Sequence, residues 1–330
     1  MSKSLTYKDA GVDTEKAAEL VGEIAKLRRQ TEGKRKLFGA FGLFAAGYDL
    51  SGYTHPVILS CCDGVGTKIK PLLQFDMPET AGMDLVGMNV NDVLTASAMP
   101  LMFLDYIGIN KLDEDLIKRV IAGISGSLAS CDCILAGGET AEMPGLVHED
   151  ALELSGFVVG AAEKEDLIDP SSVSAGDRVF GVPSNGFHAN GWSLVRRILE
   201  DHPGILDDDE MRTLLAPTRV YYDEVIALRD AMLRPHAMVH ITGGGFRENV
   251  ARVLPEGLGA RCDLPRWDNG PVQKVLAHLD EDAAIHTFNM GFGWVIIVDA
   301  VDADACATAL PEAQLLGEIT DAGTVDVSIG

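Results

Sequence analysis

Residues 80–110 read TAGMDLVGMNVNDVLTASAMPLMFLDYIGIN, a run without a single lysine, arginine or glutamate. Its first half places Val86, Val90, Val93 and Leu94 along one side of a helix expected over 84–98. Its second half is an apolar run that predicts a strand over 101–109. The alternation continues on both sides, with strands over 56–62, 133–136 and 152–161 and a helix over 114–129. Another helix opens the chain near 14–29, with Asp13 as its N-cap. Strands and helices in alternation build layers, so the fold class is α/β (α+β). The polar stretch 164–176 marks a boundary between two domains, 1–168 and 169–330. The second domain repeats the style, with strands over 178–183, 259–263, 294–299, 315–320 and 324–329. Its helices are expected over 192–199, 218–232, 246–253, 272–279 and 303–310.

The chain has 330 residues and a formal net charge of −23. A field of that sign repels nucleic acid and anionic lipid, so neither is an expected partner. Small phosphorylated ligands remain open to it through a metal ion or a local cationic patch. The longest weakly charged run is broken by Asp84, Asp92 and Asp105, which argues against a membrane span. The first residues have no apolar core, so no secretory signal is expected and the address is the cytoplasm. Cys61, Cys62, Cys131, Cys133, Cys262 and Cys306 lack zinc-site spacing and read as buried free thiols.

Five segments carry chemistry. Asp63-Gly-Val-Gly-Thr-Lys68 follows an apolar strand. Gly64 and Gly66 let backbone N–H groups approach a ligand, and Lys68 adds a point charge. On the helix after Gly82, Asp84, Asn91 and Thr95 share a stripe flanked by Asp92. Such short polar groups in apolar surroundings make either a ligand face for a hard metal or a buried polar network. Gly137-Gly-Glu-Thr-Ala-Glu-Met-Pro-Gly145 offers Glu139 and Thr140 as oxygen ligands at a strand end. Together these acids suit a magnesium–polyphosphate cage. Asn185-Gly-Phe-His-Ala-Asn-Gly191 and Thr242-Gly-Gly-Gly-Phe246 each lead into a helix, the arrangement of an anion site. His188 lies in the first of these and is a candidate for proton transfer. A cationic, glycine-rich stretch over 26–47 reads either as a solvated helix end with a turn or as a lid over phosphate.

These segments together resemble the phosphoribosylformylglycinamidine cyclo-ligases, also called aminoimidazole ribonucleotide synthetases. The stretches that carry the likeness run from Ser4-Leu-Thr-Tyr-Lys-Asp-Ala-Gly-Val-Asp13 through the five above. They include Phe103-Leu-Asp-Tyr106, Ala216-Pro-Thr-Arg219 and Phe288-Asn-Met-Gly291. The resemblance implies a two-domain protein that dimerises through its N-terminal domain. That domain would bind ATP and magnesium, with room for a monovalent cation, and the C-terminal domain would complete the active site. It implies ATP-dependent closure of formylglycinamidine ribonucleotide, a phosphoribosyl substrate, through a phosphoryl imidate in purine biosynthesis. Asp63, Asp84, Asp92 and Glu139 would serve magnesium. Lys68 and His188 would act in catalysis. Gly64, Gly66, Thr67, Lys68, Asn91, Thr140, Asn190, Gly191, Thr242, Gly243 and Gly244 would hold ATP and phosphate groups. The chain departs from the family's pattern at 38–43, at 152–156 and at Trp294. Another ATP-dependent kinase or synthetase of the same superfamily is the competing reading.

Overall fold

The computed structural model describes residues 14–33, 37–38 and 44–330. The Asp13 cap and most of the glycine-rich part of the expected lid fall outside them. The chain divides into two compact units. The first takes the chain up to Asn89 with Pro100–Ala161, and the second takes Val90–Met99 with Ala162–Gly330.

In the first unit, helix α1 (Thr14–Arg28) precedes a small hairpin of β1 (Leu37–Phe38) and β2 (Gly47–Tyr48). Strand β3 (Pro56–Gly64) runs into a tight turn at Gly66–Lys68 and then α2 (Ile69–Gln74). Next come α3 (Pro78–Leu94), β4 (Met99–Ile109), α4 (Glu114–Ser130), β5 (Ile134–Glu142) and β6 (Leu152–Glu163). The sheet order is β3-β6-β4-β5, with β4 and β5 parallel. Along β4, Leu101, Phe103, Ile107 and Ile109 are buried while Met102, Leu104 and Tyr106 are half-buried, so one sheet face is the core face. Helix α1 is tied to β5, since Arg28 donates to the Leu135 carbonyl at 3.0 Å and Leu135 N–H donates to Thr31. The two helices α3 and α4 touch through glycines. A Cβ on Gly82 would lie 2.1 Å from the Val120 carbonyl oxygen, and one on Gly123 would lie 2.0 Å from that of Glu79.

The second unit is built on a six-stranded sheet. It comprises β7 (Arg178–Pro183), β8 (Ala237–His240), β9 (Gly259–Leu264), β10 (Phe292–Val298), β11 (Gln314–Thr320) and β12 (Val325–Ile329). Its order is β12-β9-β11-β7-β10-β8, antiparallel except for the β12–β9 pair. Every residue of β10 is buried, as expected for a strand covered on both faces. The helices are α5 (Trp192–Asp201), α6 (Asp208–Leu214), α7 (Tyr222–Asp230), α8 (Gly245–Arg252), α9 (Gly270–Leu276), α10 (Glu281–Thr287) and α11 (Ala303–Ala309). Strand β8 and helices α6 and α10 were not expected from the sequence. Among the described residues no helix is long and apolar enough to cross a membrane. Cys131, Cys133, Cys262 and Cys306 are buried as expected, but Cys62 is exposed and Cys61 half-buried, contrary to expectation.

Four helices stop in the same way. After α3, Ser97 N–H donates to Leu94 and Ala98 N–H reaches back to Val93, with Ser97 at φ 60°. The pattern recurs after α2 with Asp76 and after α7 with Met232, and after α4 the Cys133 N–H reaches back to Leu128 with Asp132 at φ 51°. Each is a helix end whose left-handed residue is usually glycine. None of the four is glycine here. Met232, at φ 55°, is the starkest case, because its side chain is 90% exposed and packs little against the protein. A left-handed non-glycine residue costs about 1–2 kcal/mol. Met232→Gly is therefore expected to stabilise the protein by roughly 1 kcal/mol in urea unfolding, after the entropy glycine adds to the unfolded chain. A loss of stability would refute the strain assigned to this cap.

Candidate active site

The strand-end loop of the first unit is held from both sides by α3. Asn89, fully buried, accepts from the Asp63 N–H at 2.9 Å and donates to the Asp63 carbonyl at 3.1 Å. This amide copies a strand neighbour and fixes the backbone of Asp63, whose carboxylate stays half-exposed and receives the Gly64 N–H. Gly66 and Thr67 are exposed at the turn, and Gly66 takes φ 64°. Lys68 turns inward instead. Its ammonium sits 2.8 Å from Asp84 Oδ2 and 3.0 Å from Oδ1, with both side chains fully buried. Burial pushes the Lys68 ammonium down from its ordinary range, and Asp84 opposes that shift. Each of the two charges thus meets the other away from solvent.

A second cluster lies on β4 and β5 of the same unit. Their register puts Asp105 opposite Gly138 and Tyr106 opposite Glu139. The strand expected over 133–136 extends further, and Gly137–Glu142 completes β5. Gly138 has a steric reason to be glycine, since a Cβ there would lie 2.3 Å from Asp105 Oδ1. Asp105, Glu139 and Thr140 line a cavity of about 700 Å³, bounded on another side by Leu20 and Ile24 of α1. Burial, with the Glu139 charge adding to it, pushes the Asp105 carboxyl up to about 7 against a backbone hydrogen bond that lowers it.

In the second unit, Asn91 and Asp92 close on one imidazole. Asn91 is buried, donates to the Arg219 carbonyl at 2.8 Å and accepts from the Tyr221 N–H at 3.0 Å. Its amide nitrogen also lies 3.3 Å from His240 Nε2, while Asp92 Oδ1 lies 2.9 Å from His240 Nδ1. Both ends of its amide are engaged inside this unit. His188 is 1% exposed at φ 59°, and its Nε2 lies 3.4 Å from the backbone nitrogens of Asn185 and Arg219. Through these contacts it ties two loops together.

The two glycine loops do converge. A Cβ on Gly243 would lie 3.8 Å from the Asn190 side-chain oxygen. Gly191 caps α5 at φ 76° and Gly244 caps α8 at φ 93°, and neither helix has a side-chain cap. Asn249 serves the carbonyls of Thr242, Gly243 and Gly245 from below. Asn190, Gly191, Thr242, Gly243 and Gly244 thus sit beside two uncapped N-termini, whose N–H groups and dipoles favour an anion. Among the described residues, no group of three or more His, Cys, Asp or Glu side chains is placed to hold a metal ion by itself.

Residues 47–162 match the family described as AIR synthase related protein, N-terminal domain, and residues 174–330 match its C-terminal domain. A phosphoribosylformylglycinamidine cyclo-ligase of Methylobacillus flagellatus is 42% identical over 94% of this chain and 92% of its own. One from Xanthomonas oryzae pv. oryzae is 43% identical over 94% of both chains. The chain belongs to the phosphoribosylformylglycinamidine cyclo-ligase family. Solved structures of lower identity share the fold. Thiamine-monophosphate kinase from Stenotrophomonas maltophilia has a TM-score of 0.66 at 19% identity, covering 92% of this chain and 94% of that one. Hydrogenase maturation protein HypE in complex with ATP has a TM-score of 0.69 at 16% identity, covering 98% and 94%. T. maritima PurL complexed with AMPPCP has a TM-score of 0.56 at 14% identity, covering 83% of this chain and 42% of that one.

Within this family member, Asn89, Asp105 and His240 are polar residues the sequence reading passed over. Asn89 stands inside the quoted helix motif, and His240 directly precedes Ile241-Thr-Gly-Gly-Gly. Either position was a signal available beforehand. Trp294, one of the family departures, stacks on Tyr221 with ring centroids 5.3 Å apart. Asp105 gives the site a measurable pH signature. Its folded-state value lies above the unfolded one, so its contribution is complete below about pH 4 and is lost as pH rises through about 7. Without nucleotide or divalent ions, the melting temperature should fall between about pH 4 and pH 7 through this group, and Asp105→Asn should flatten that fall. Parallel curves for the two proteins would show that Asp105 does not titrate there.

Proposed function

We propose that the protein closes the imidazole ring of aminoimidazole ribonucleotide from formylglycinamidine ribonucleotide and ATP, a step of purine biosynthesis. The observation that carries this is the 42–43% identity to cyclo-ligases along nearly the whole chain. In the proposed chemistry, the terminal phosphoryl group of ATP passes to the formyl oxygen, leaving ADP and a phosphoryl imidate. The amidine nitrogen then bonds to the activated carbon. The carbon–oxygen bond breaks and phosphate leaves with the former formyl oxygen.

Asp63 and Glu139 of the first unit and, separately, Asp92 of the second are the carboxylates we assign to magnesium. They are hard oxygen donors with solvent access, which fits an ion that keeps waters and takes few protein ligands beside phosphate. Bound magnesium would neutralise phosphate charge. Gly64, Gly66, Thr67 and Thr140 are assigned to the nucleotide phosphates. The paired N-termini at Gly191 and Gly244, with Asn190 and Thr242, are assigned to a phosphate of the ligands. Backbone N–H groups there need no reorganisation to meet an anion. Lys68, Asp84, Asn91 and His188 hold these pieces in place from within each unit.

The partner we propose is a second copy of the chain. The outward side chains of β3 and β6 include Ile58 at 59% and Phe157 at 46% exposure, an apolar surface that a second sheet could cover. Sedimentation at micromolar concentration should give a dimer, and Phe157→Asp should shift it to monomer. A monomeric wild-type protein would refute this.

The activity is tested by following ADP and the ring product together. ADP should appear only when formylglycinamidine ribonucleotide is present, in equal amount to the aromatic amine product. Asp63→Asn should lower turnover by an order of magnitude or more, with part restored by excess magnesium. ADP release driven by another small alcohol or phosphate acceptor, without ring product, would favour a kinase of the same fold.

A further inference from the structure

Asp92 and His240 are 148 positions apart in sequence, yet the imidazole Nδ1 lies 2.9 Å from the Asp92 carboxylate. We propose that His240 is the positioning residue for Asp92, donating a hydrogen bond that fixes how this carboxylate faces its ligand. The proposal rests on the reading of Asp92 as a magnesium ligand.

The direction of the hydrogen bond follows from its neighbours. Asn91 accepts from the Tyr221 N–H with its oxygen and donates to the Arg219 carbonyl with its nitrogen, so its amide orientation is fixed. That same nitrogen faces His240 Nε2 at 3.3 Å. An amide N–H can only donate, so Nε2 is the acceptor and the ring proton sits on Nδ1. Nδ1–H therefore donates to Asp92. The histidine is nearly fully buried at the end of β8, with the Trp294 ring 6.4 Å away, and cannot swing freely. Asp92, by contrast, keeps 37% of its side chain exposed. One ordered donor from the protein side thus meets a carboxylate that still opens to solvent. Adjacent residues on α3 grip both nitrogens of one ring, and that grip removes the rotational freedom Asp92 would otherwise have. Hydrogen bonds to metal-binding carboxylates typically change metal affinity by about 10–100-fold when lost.

The two ring nitrogens can be separated by substitution. His240→Asn keeps an N–H near the Nδ1 position and loses the group that meets Asn91. His240→Gln keeps an acceptor near the Nε2 position and loses the donor to Asp92. Binding of ATP would be measured by calorimetry over a series of magnesium chloride concentrations, and the melting temperature would be recorded for each metal-free protein. His240→Gln is expected to raise the magnesium concentration for half-maximal ATP binding roughly tenfold, and His240→Asn by less than about threefold. Equal shifts for the two variants, or none, would overturn the proposal and leave His240 a packing residue. Asp92→Asn serves as the reference. If it leaves the magnesium requirement unchanged, the reading of Asp92 itself falls and the proposal falls with it. If it raises the requirement while His240→Gln does not, only the positioning role is refuted.

Discussion

The ammonium of Lys68 and the carboxylate of Asp84 meet at 2.8 Å with no exposure on either side chain. Charges taken out of water are tolerated only in such company, and removing one partner of a buried pair costs about 3–5 kcal/mol. The pair locks the end of the Gly66–Lys68 turn onto α3, and Asn89 of the same helix locks its beginning through the Asp63 backbone. A nine-residue strand therefore enters the turn already fastened at both ends of the motif. Asp63 can stay half-exposed because its neighbours, and not its own carboxylate, carry the structural burden. The second unit repeats the logic with neutral groups, where the Asn91 amide holds the 219–221 backbone and His188 receives the Arg219 N–H.

Much of the fold was legible because its strands are apolar in continuous or alternating runs, as at 101–109 and 178–183. Helix ends were less so. The helix expected over 84–98 stops at Leu94, and the one expected to reach 232 stops at Asp230. Both close on Ser97 and Met232, where a glycine would have announced the stop. The short strand β8 has four buried residues and no alternation to mark it. Helix α6 did carry a signal, the Asp207–Glu210 capping box, although its charged sequence lacks an apolar stripe.

For the site, the positions of the acids on strand and helix ends could be read, but their partners could not. The absence of long charged side chains over 80–110 suggested either a ligand face or a buried network. Along α3, Asp84, Asn89 and Asn91 form the buried network, and Asp92 alone of this set keeps solvent access. Nothing local separates these cases, because the deciding contacts reach to Lys68, Asp63 and His240, the last of them 148 positions away. A single sequence records composition along a line. It does not record which carboxylate has already been claimed.

The contact between α3 and α4 bears on how this protein tolerates change. Gly82 and Gly123 face backbone oxygens at distances no side chain can share, and neither residue has any chemistry of its own. A saturation scan would nonetheless rank both among the least replaceable positions, level with the exposed acids. Intolerance in such a scan would there report the spacing of two helix backbones rather than proximity to a reaction. The two kinds of essential residue would separate only when the scan is read for abundance and for turnover side by side.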